Sequence, residues 1–371
     1  MTGMTCRACG CLNGEVVLDL GNQPACDYFP PQDAPLPDPV YPLRMWLCLA
    51  CGLAQLVEDP TVPEEPRGAE PAALVAQAAN AVSRVAEAGW LRSDDRVVEF
   101  GSPHGGSWSG LLRERGLRTV SRTERAEVVL DCFGLMHHSD QAAALAERVS
   151  RVEDGGVLLL QFHSLATILQ RSQWNALRHG HFAYYSLPAL THMLAAVRFF
   201  PRAAWRFDLY GGTVLLAATS HGAAADDDSS VIQLLADEKA QGVLEPDRFA
   251  TLDSAATAGA DSLHDWLDGQ RSAGNLVLGY GAASRAVSLL CKASVDSSLL
   301  PAVADASPAK QGRRMPGTDI PVIPPPELLE RRPNIVLLFL PDLINEVRRQ
   351  LPQVEENGAT WVDVEALALR A

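Results

Sequence analysis

Apolar and polar positions change rhythm several times along the 371 residues, and each change predicts an element. Residues 15–20 (EVVLDL) read as a strand, 21–24 as a turn and 32–42 as a proline-rich loop. From 73 to 88, alanines carry larger apolar residues at helical spacing, which predicts a helix. A short strand at 97–100 leads into the turn Gly101-Ser102-Pro103-His104-Gly105-Gly106 and a helix ending near 115. EVVLDCF at 127–133 is the next strand, 141–151 a helix and VLLLQF at 157–162 a further strand. Strand and helix alternating over short connections predict a parallel sheet with helices on both faces.

The stretch 220–230 (SHGAAADDDSS) is small and acidic and reads as a loop. A long helical region is expected over 231–273. The α/β rhythm then resumes, with strands at 276–279, 300–304, 334–340 (NIVLLFL) and 360–363, and helices within 281–292 and 342–350. The expected class is therefore α/β with three parts. A small N-terminal zinc domain at 1–58 is followed by a linker at 59–71 (DPTVPEEPRGAEP). An abbreviated Rossmann-like domain covers 73–220, and a helical linker plus a C-terminal Rossmann-like domain covers 231–371.

Composition narrows the function classes. With 47% hydrophobic and 20% charged residues the chain reads as globular. Its formal charge of −14 argues against a nucleic-acid partner, because phosphate binding needs clustered Lys and Arg. No apolar run approaches the roughly 18–20 residues of a membrane span, and the start lacks a secretory pattern, so a cytoplasmic protein is expected.

Four of the eight cysteines stand in two Cys-x-x-Cys pairs, Cys6/Cys9 and Cys48/Cys51, each followed by glycine. Thiolates two residues apart in a tight turn can face one ion, and four soft thiolates select zinc and close its tetrahedron. A structural zinc site is the reading, against a redox dithiol. Cys11 is a nearby spare ligand, and Cys26, Cys132 and Cys291 read as small buried hydrophobes.

Several long stretches together resemble one family, the nucleotide-deoxysugar C-methyltransferases of antibiotic pathways. They are VLDLGNQPACDYF and YPLRMWLCLACGLAQL near the N-terminus, then VLGYGAASRAVSLL, VADASPAKQGRRMPGTDIPV and PPPELLERRPNIVLLFLP near the C-terminus. The resemblance implies a zinc domain, an S-adenosylmethionine (SAM) methyltransferase domain and a C-terminal Rossmann-like domain. It implies a small-molecule keto substrate, such as a nucleotide-linked sugar, and proton removal beside a ketone before methyl transfer.

The middle of the chain departs from the family pattern. A cofactor loop resembling E-x-G-x-N-D-G here reads Glu99-Phe100-Gly101-Ser102-Pro103-His104-Gly105, so Gly101, His104 and Gly105 would meet any bound SAM. An acidic residue should follow the second strand to hold the ribose. Only LRTVSRTER at 117–125 stands there, with Glu124 its single carboxylate and no room expected for a second and third strand. The SAM site therefore reads as eroded.

A family motif resembling Y-x-E-H becomes Arg178-His179-Gly180-His181, and His-Gly-Gly becomes Tyr210-Gly211-Gly212. Histidines 104, 137, 138, 163, 179 and 181 all fall at or beyond strand ends, where open α/β sheets place their crevice. His137 and His138 also read simply as exposed loop residues. His181 is the candidate proton-transfer base, with His179 beside it; the pair has metal-ligand composition but lacks a carboxylate. Arg178 reads as an anion binder or a surface arginine, and Tyr210 as an orienting residue. Three functions follow: an acid–base enzyme no longer using SAM, a SAM-dependent C-methyltransferase, or a non-catalytic partner protein.

Overall fold

The computed structural model describes residues 4–61, 70–103, 105–209, 212–220 and 229–368. The N-terminal part supplies β1 (Gly14–Pro24), β2 (Val40–Cys48) and β3 (Ala54–Leu56). The middle runs α1 (Ala72–Glu87), β4 (Arg96–Gly101), α2 (Ser109–Glu114), β5 (Arg118–Thr119), β6 (Ala126–Cys132), α3 (Gln141–Ser150) and β7 (Val152–His163). It continues through α4 (Leu165–Gln170), β8 (Ala183–Tyr184), α5 (Leu187–Ala196), β9 (Phe200–Phe207) and β10 (Thr213–Thr219). The last part begins with α6 (Ser229–Ala240), α7 (Ala250–Ser272), β11 (Val277–Tyr280), α8 (Ser284–Lys292), β12 (Val303–Ala304) and β13 (Val322–Ile323). It closes with α9 (Pro325–Glu330), β14 (Ile335–Leu338), α10 (Ile344–Gln350), α11 (Gln353–Glu356), β15 (Thr360–Asp363) and α12 (Val364–Ala368).

Three sheets result. The first is antiparallel, in the order β1-β2-β3-β8. The second is ordered β5-β4-β6-β7-β10-β9, and the third, β13-β12-β11-β14-β15, is wholly parallel. The apolar runs Val128-Val129-Leu130 of β6 and Ile335–Leu338 of β14 suit strands covered on both faces. Local chemistry places the helix starts: Asp140 accepts from Ala143 N for α3, and Ser186 from Ala189 N for α5.

The structure corrects the sequence reading in several places. Residues 21–24 are not a turn but the bulged end of β1, and β2 begins at Val40 inside the expected proline-rich loop. The second sheet is mixed, because β9 and β10 form a hairpin that sets β10 antiparallel to β7. A second strand does exist: the two-residue β5 pairs in parallel with β4 through Arg96–Arg118 and Val97–Thr119. The helical region over 231–273 is two helices, broken where Gly242 takes φ +68° and Pro246 starts a 3-10 turn.

The N-terminal sheet packs on both larger sheets. Leu18, Phe29, Leu43 and Met45 share a core with Leu252, Ala256 and Leu290, while Trp46, Cys48 and Leu53 share one with Val98, Leu160 and Leu190. A cleft of about 380 Å³ lies between the second and third sheets, at the C-terminal ends of β4, β6, β7, β11 and β14. That is where open α/β sheets place ligands.

Candidate functional site

The four cysteines of the two pairs converge. Their sulfur atoms all lie within 4.8 Å of one another, with Cys6 and Cys51 Sγ at 3.5 Å and Cys9 and Cys48 Sγ at 3.7 Å. Zinc–sulfur bonds of about 2.3 Å give a tetrahedron with sulfur–sulfur edges of about 3.8 Å, so the set fits zinc. Gly10 and Gly52 close the knuckles at φ +72° and +76°, and a Cβ on Gly52 would strike Leu244 at 2.3 Å. The hydrogen bond from Cys51 pulls the Cys6 thiol down to about 5 while Cys51 is pushed up. Crowded thiols of this kind give up protons to a metal. Cys11 stands outside the cluster, and Cys26 and Cys132 are buried as expected.

The cleft holds a second constellation. Residues 178–181 form a turn in which His181 N bonds Arg178 O at 3.4 Å and Gly180 adopts φ +81°. Arg178 and His181 are thereby brought face to face. Arg178 Nε and Nη2 lie 2.9 and 2.6 Å from His181 Nε2, and Nη1 donates to Ser284 Oγ at 2.5 Å. A guanidinium can only donate, so His181 Nε2 is the acceptor in these contacts, with Nδ1 a longer 3.4 Å from Arg178 Nε. His137 meets the His181 ring edge-on at 4.7 Å and pairs its Nδ1 with Gly180 O at 2.9 Å.

The same wall carries Lys310, which donates to Ala282 O at 2.8 Å and stacks 4.8 Å over the Phe29 ring. Burial pushes its pKa down, opposed by Asp305 and Asp27. Asp305 itself accepts from Ala282 N at 2.7 Å and Ser307 N at 2.8 Å, holding the turn between β11 and α8.

The loop after β4 is tied to the helix that follows it. Glu99 accepts from Ser107 Oγ, Trp108 N and Ser109 Oγ at 2.5–2.7 Å and fastens the loop to the start of α2. Beyond β5, Arg122 donates to Glu99 O at 2.9 Å and lies 5.6 Å over the Phe100 ring. Glu124 turns back onto Ser121 N. Asp131 is buried against Arg148 at 2.7 Å, with Arg148 stacked on Phe100. Within residues 117–125, then, Arg122 turns toward the end of β4 and the single carboxylate, Glu124, is held by its own turn. Gly105 still lines the cleft, and Gly101 ends β4 behind it.

The sequence candidates divide clearly. Arg178, His181, His137 and His163 line the cleft. His179 does not: it is buried and its Nε2 lies 3.2 Å from Pro42 O of the N-terminal sheet, so the expected place beside His181 in the site is corrected. Burial lowers its pKa, which keeps the ring neutral. His138 is exposed and pairs with Arg148 Nη2 at 3.1 Å. His104 and Tyr210 lie outside the described residues. Asp27, Asp59, Ser284 and Lys310 were not singled out from the sequence. Three of them sit in the motif stretches ACDYF, GAASRA and ASPAKQG, and that clustering was the available signal.

Two family models match the chain. One, "C-methyltransferase C-terminal domain", covers residues 208–364, and the other, "Putative zinc binding domain", covers 6–65. The C-methyltransferase NovU of Streptomyces niveus is 23% identical over 96% of this chain and 94% of its own. Magnesium protoporphyrin IX methyltransferase from Synechocystis PCC 6803, solved with bound SAH, aligns over 39% of this chain and 83% of its own, at 14% identity and TM-score 0.30. The N-methyltransferase NodS from Bradyrhizobium japonicum WM9, in complex with S-adenosylhomocysteine, aligns over 39% and 86%, at 11% identity and TM-score 0.30.

Proposed function

We propose, from the premise that this chain belongs to the C-methyltransferase family with an N-terminal zinc-binding domain, that it catalyses SAM-independent acid–base chemistry on a keto intermediate. The setting is a specialised-metabolite pathway, antibiotic or deoxysugar, and the substrate is a small molecule such as a nucleotide-linked sugar. The observation that carries the reading is the Arg178–His181 contact inside the cleft.

That contact joins an oxyanion donor to a base. A ketone whose oxygen takes the place of His181 Nε2 on the Arg178 fork brings its α-hydrogen to the freed lone pair. His181 Nε2 takes the proton, the C–H electron pair moves into the new C=C bond, and the negative charge on oxygen is held by Arg178. Delivery of a solvent proton to the opposite face of the same carbon completes an epimerisation. Departure of a β-substituent gives dehydration, and attack of the enolate on an internal electrophile gives cyclisation. Tyr210 is assigned to orienting the substrate, and Ser284 holds Arg178 from the far side.

The test is solvent-deuterium incorporation. The keto intermediate that accumulates in a deletion strain, incubated with the purified protein in D₂O, gains deuterium at its α-carbon. His181→Ala lowers that rate by about 10²–10⁴, the usual contribution of a positioned base. Unchanged exchange in His181→Ala would take the base role from His181, and exchange no faster than without protein would leave a non-catalytic partner protein instead. A second reading, surviving methyl transfer, is favoured by the match to NovU over nearly the whole length of both chains. It predicts a methylated product and S-adenosylhomocysteine when the same incubation is supplied with SAM.

A further inference from the structure

Besides His137 and Ser284 of the cleft walls, the turn carrying His181 is held by the zinc-binding end of the chain. Each of its first three residues has a contact there. Asp27 Oδ1 faces Arg178 Nη1 at 3.7 Å, Pro42 O lies 3.2 Å from His179 Nε2, and Asp59 Oδ2 accepts from Gly180 N at 2.6 Å. Immediately beyond, β8 joins the N-terminal sheet as its fourth strand, pairing Ala54 with Tyr184 and Gln55 with Ala183. The first knuckle also bonds outward, through Arg7 Nη1 to Ser139 O, and Phe182 N reaches Met136 O at 2.7 Å. Asp27 and Asp59 do not line the cleft; Asp59 bonds the turn's backbone, and Asp27 faces the charges of Arg178 and Lys310.

We propose that Asp59, with Asp27 as a second anchor, is the positioning residue of the Arg178–His181 pair. Among the turn's backbone amides Gly180 N takes the shortest bond, to a carboxylate, and a charge-assisted bond of 2.6 Å fixes the left-handed residue that folds Arg178 back over His181. Asp27 sits on the opposite side, where a Cβ on Gly180 would meet its Oδ2 at 3.5 Å. It places a buried negative charge beside the guanidinium. A metal-stabilised sheet thereby sets the geometry of the base, which gives the zinc domain a part in the site beyond its own folding.

The inference rests on His181 being the base of the cleft, but its readout is the ring itself and needs no substrate. Ring-¹⁵N-histidine spectra of the full-length, zinc-loaded protein show His181 as a neutral ring accepting at Nε2. In Asp59→Ala with zinc still bound, that pattern collapses to averaged tautomers and Gly180 amide exchange rises at least tenfold. Asp59→Asn, which keeps an acceptor oxygen, stays close to native in both. A native ring pattern and native Gly180 protection in Asp59→Ala would overturn the assignment. If Asp59→Ala fails to fold, Asp27→Asn decides: loss of the ring pattern supports the proposal and an unchanged pattern overturns it. A ring that depends on Asp59 in a protein with no deuterium exchange would retract the chemistry and keep the positioning.

Discussion

Gly180, Asp59 and Glu238 show how much of this molecule is decided at single residues whose type alone says little. Gly180 stands where the family motif has a carboxylate, and its left-handed φ makes the turn that pairs Arg178 with His181. The sequence marked His181 because it keeps the histidine of the resembled motif, and Arg178 because it departs from that motif's tyrosine. It passed over Asp59 because the residue opens a Pro/Gly/Glu-rich stretch that reads as a linker. Glu238 was invisible for another reason: a glutamate on a polar-looking helix gives no sign of being buried. It is 1% exposed, accepts from Leu187 N at 2.6 Å, and burial raises its pKa to about 7. Its folded-state value lies above the unfolded 4.5, so the folded chain holds the proton more tightly. The associated stability is complete below about pH 4.5 and is lost as pH rises through about 7. Glu238→Gln should flatten that part of the profile and raise stability at pH 8 by on the order of 2 kcal/mol, measured by denaturant melts at pH 5 and 8. Equal pH dependence in both proteins would reject it.

At the scale of elements, apolar periodicity located most strands and helices of the second and third sheets but not how they pair. The hairpin β9–β10 was passed over, and with it the antiparallel edge of the central sheet. The two-residue β5 is too short for any periodic signal, and β8 is recruited by a sheet more than a hundred positions away in sequence. Such pairings follow from tertiary packing, which overrides local propensity. One long-range tie is testable in the link between α3 and β6, where Arg148 and Asp131 are each 1% exposed and bonded at 2.7 Å. Arg148→Met strands a buried carboxylate and should destabilise the protein by about 3–5 kcal/mol, read by chemical denaturation. A loss below about 1 kcal/mol would show that the pair is not needed. The knuckles offer a second test. The protein should bind one zinc per chain, Cys48→Ser should lose it, and chelation should expose the amides of β1, β2, β3 and β8 together in hydrogen exchange. Exchange confined to the knuckle turns would contradict a shared metal-dependent sheet.

For the whole molecule, the zinc site and the α/β class were legible because they rest on spacing and rhythm. The cleft was legible only as an expected position at strand ends, since its walls come from segments as distant as Arg178, Ser284 and Lys310. The same comparison that ties both ends of the chain to the C-methyltransferases leaves its centre as the point of decision. There Glu99 is spent on the start of α2, Arg122 stands beyond β5, and Asp131 is shut away with Arg148. The most direct test is isothermal titration calorimetry of the zinc-loaded full-length protein with SAM. The account predicts no saturable heat up to millimolar ligand. Stoichiometric binding with a micromolar Kd would contradict it and return the chain to methyl transfer.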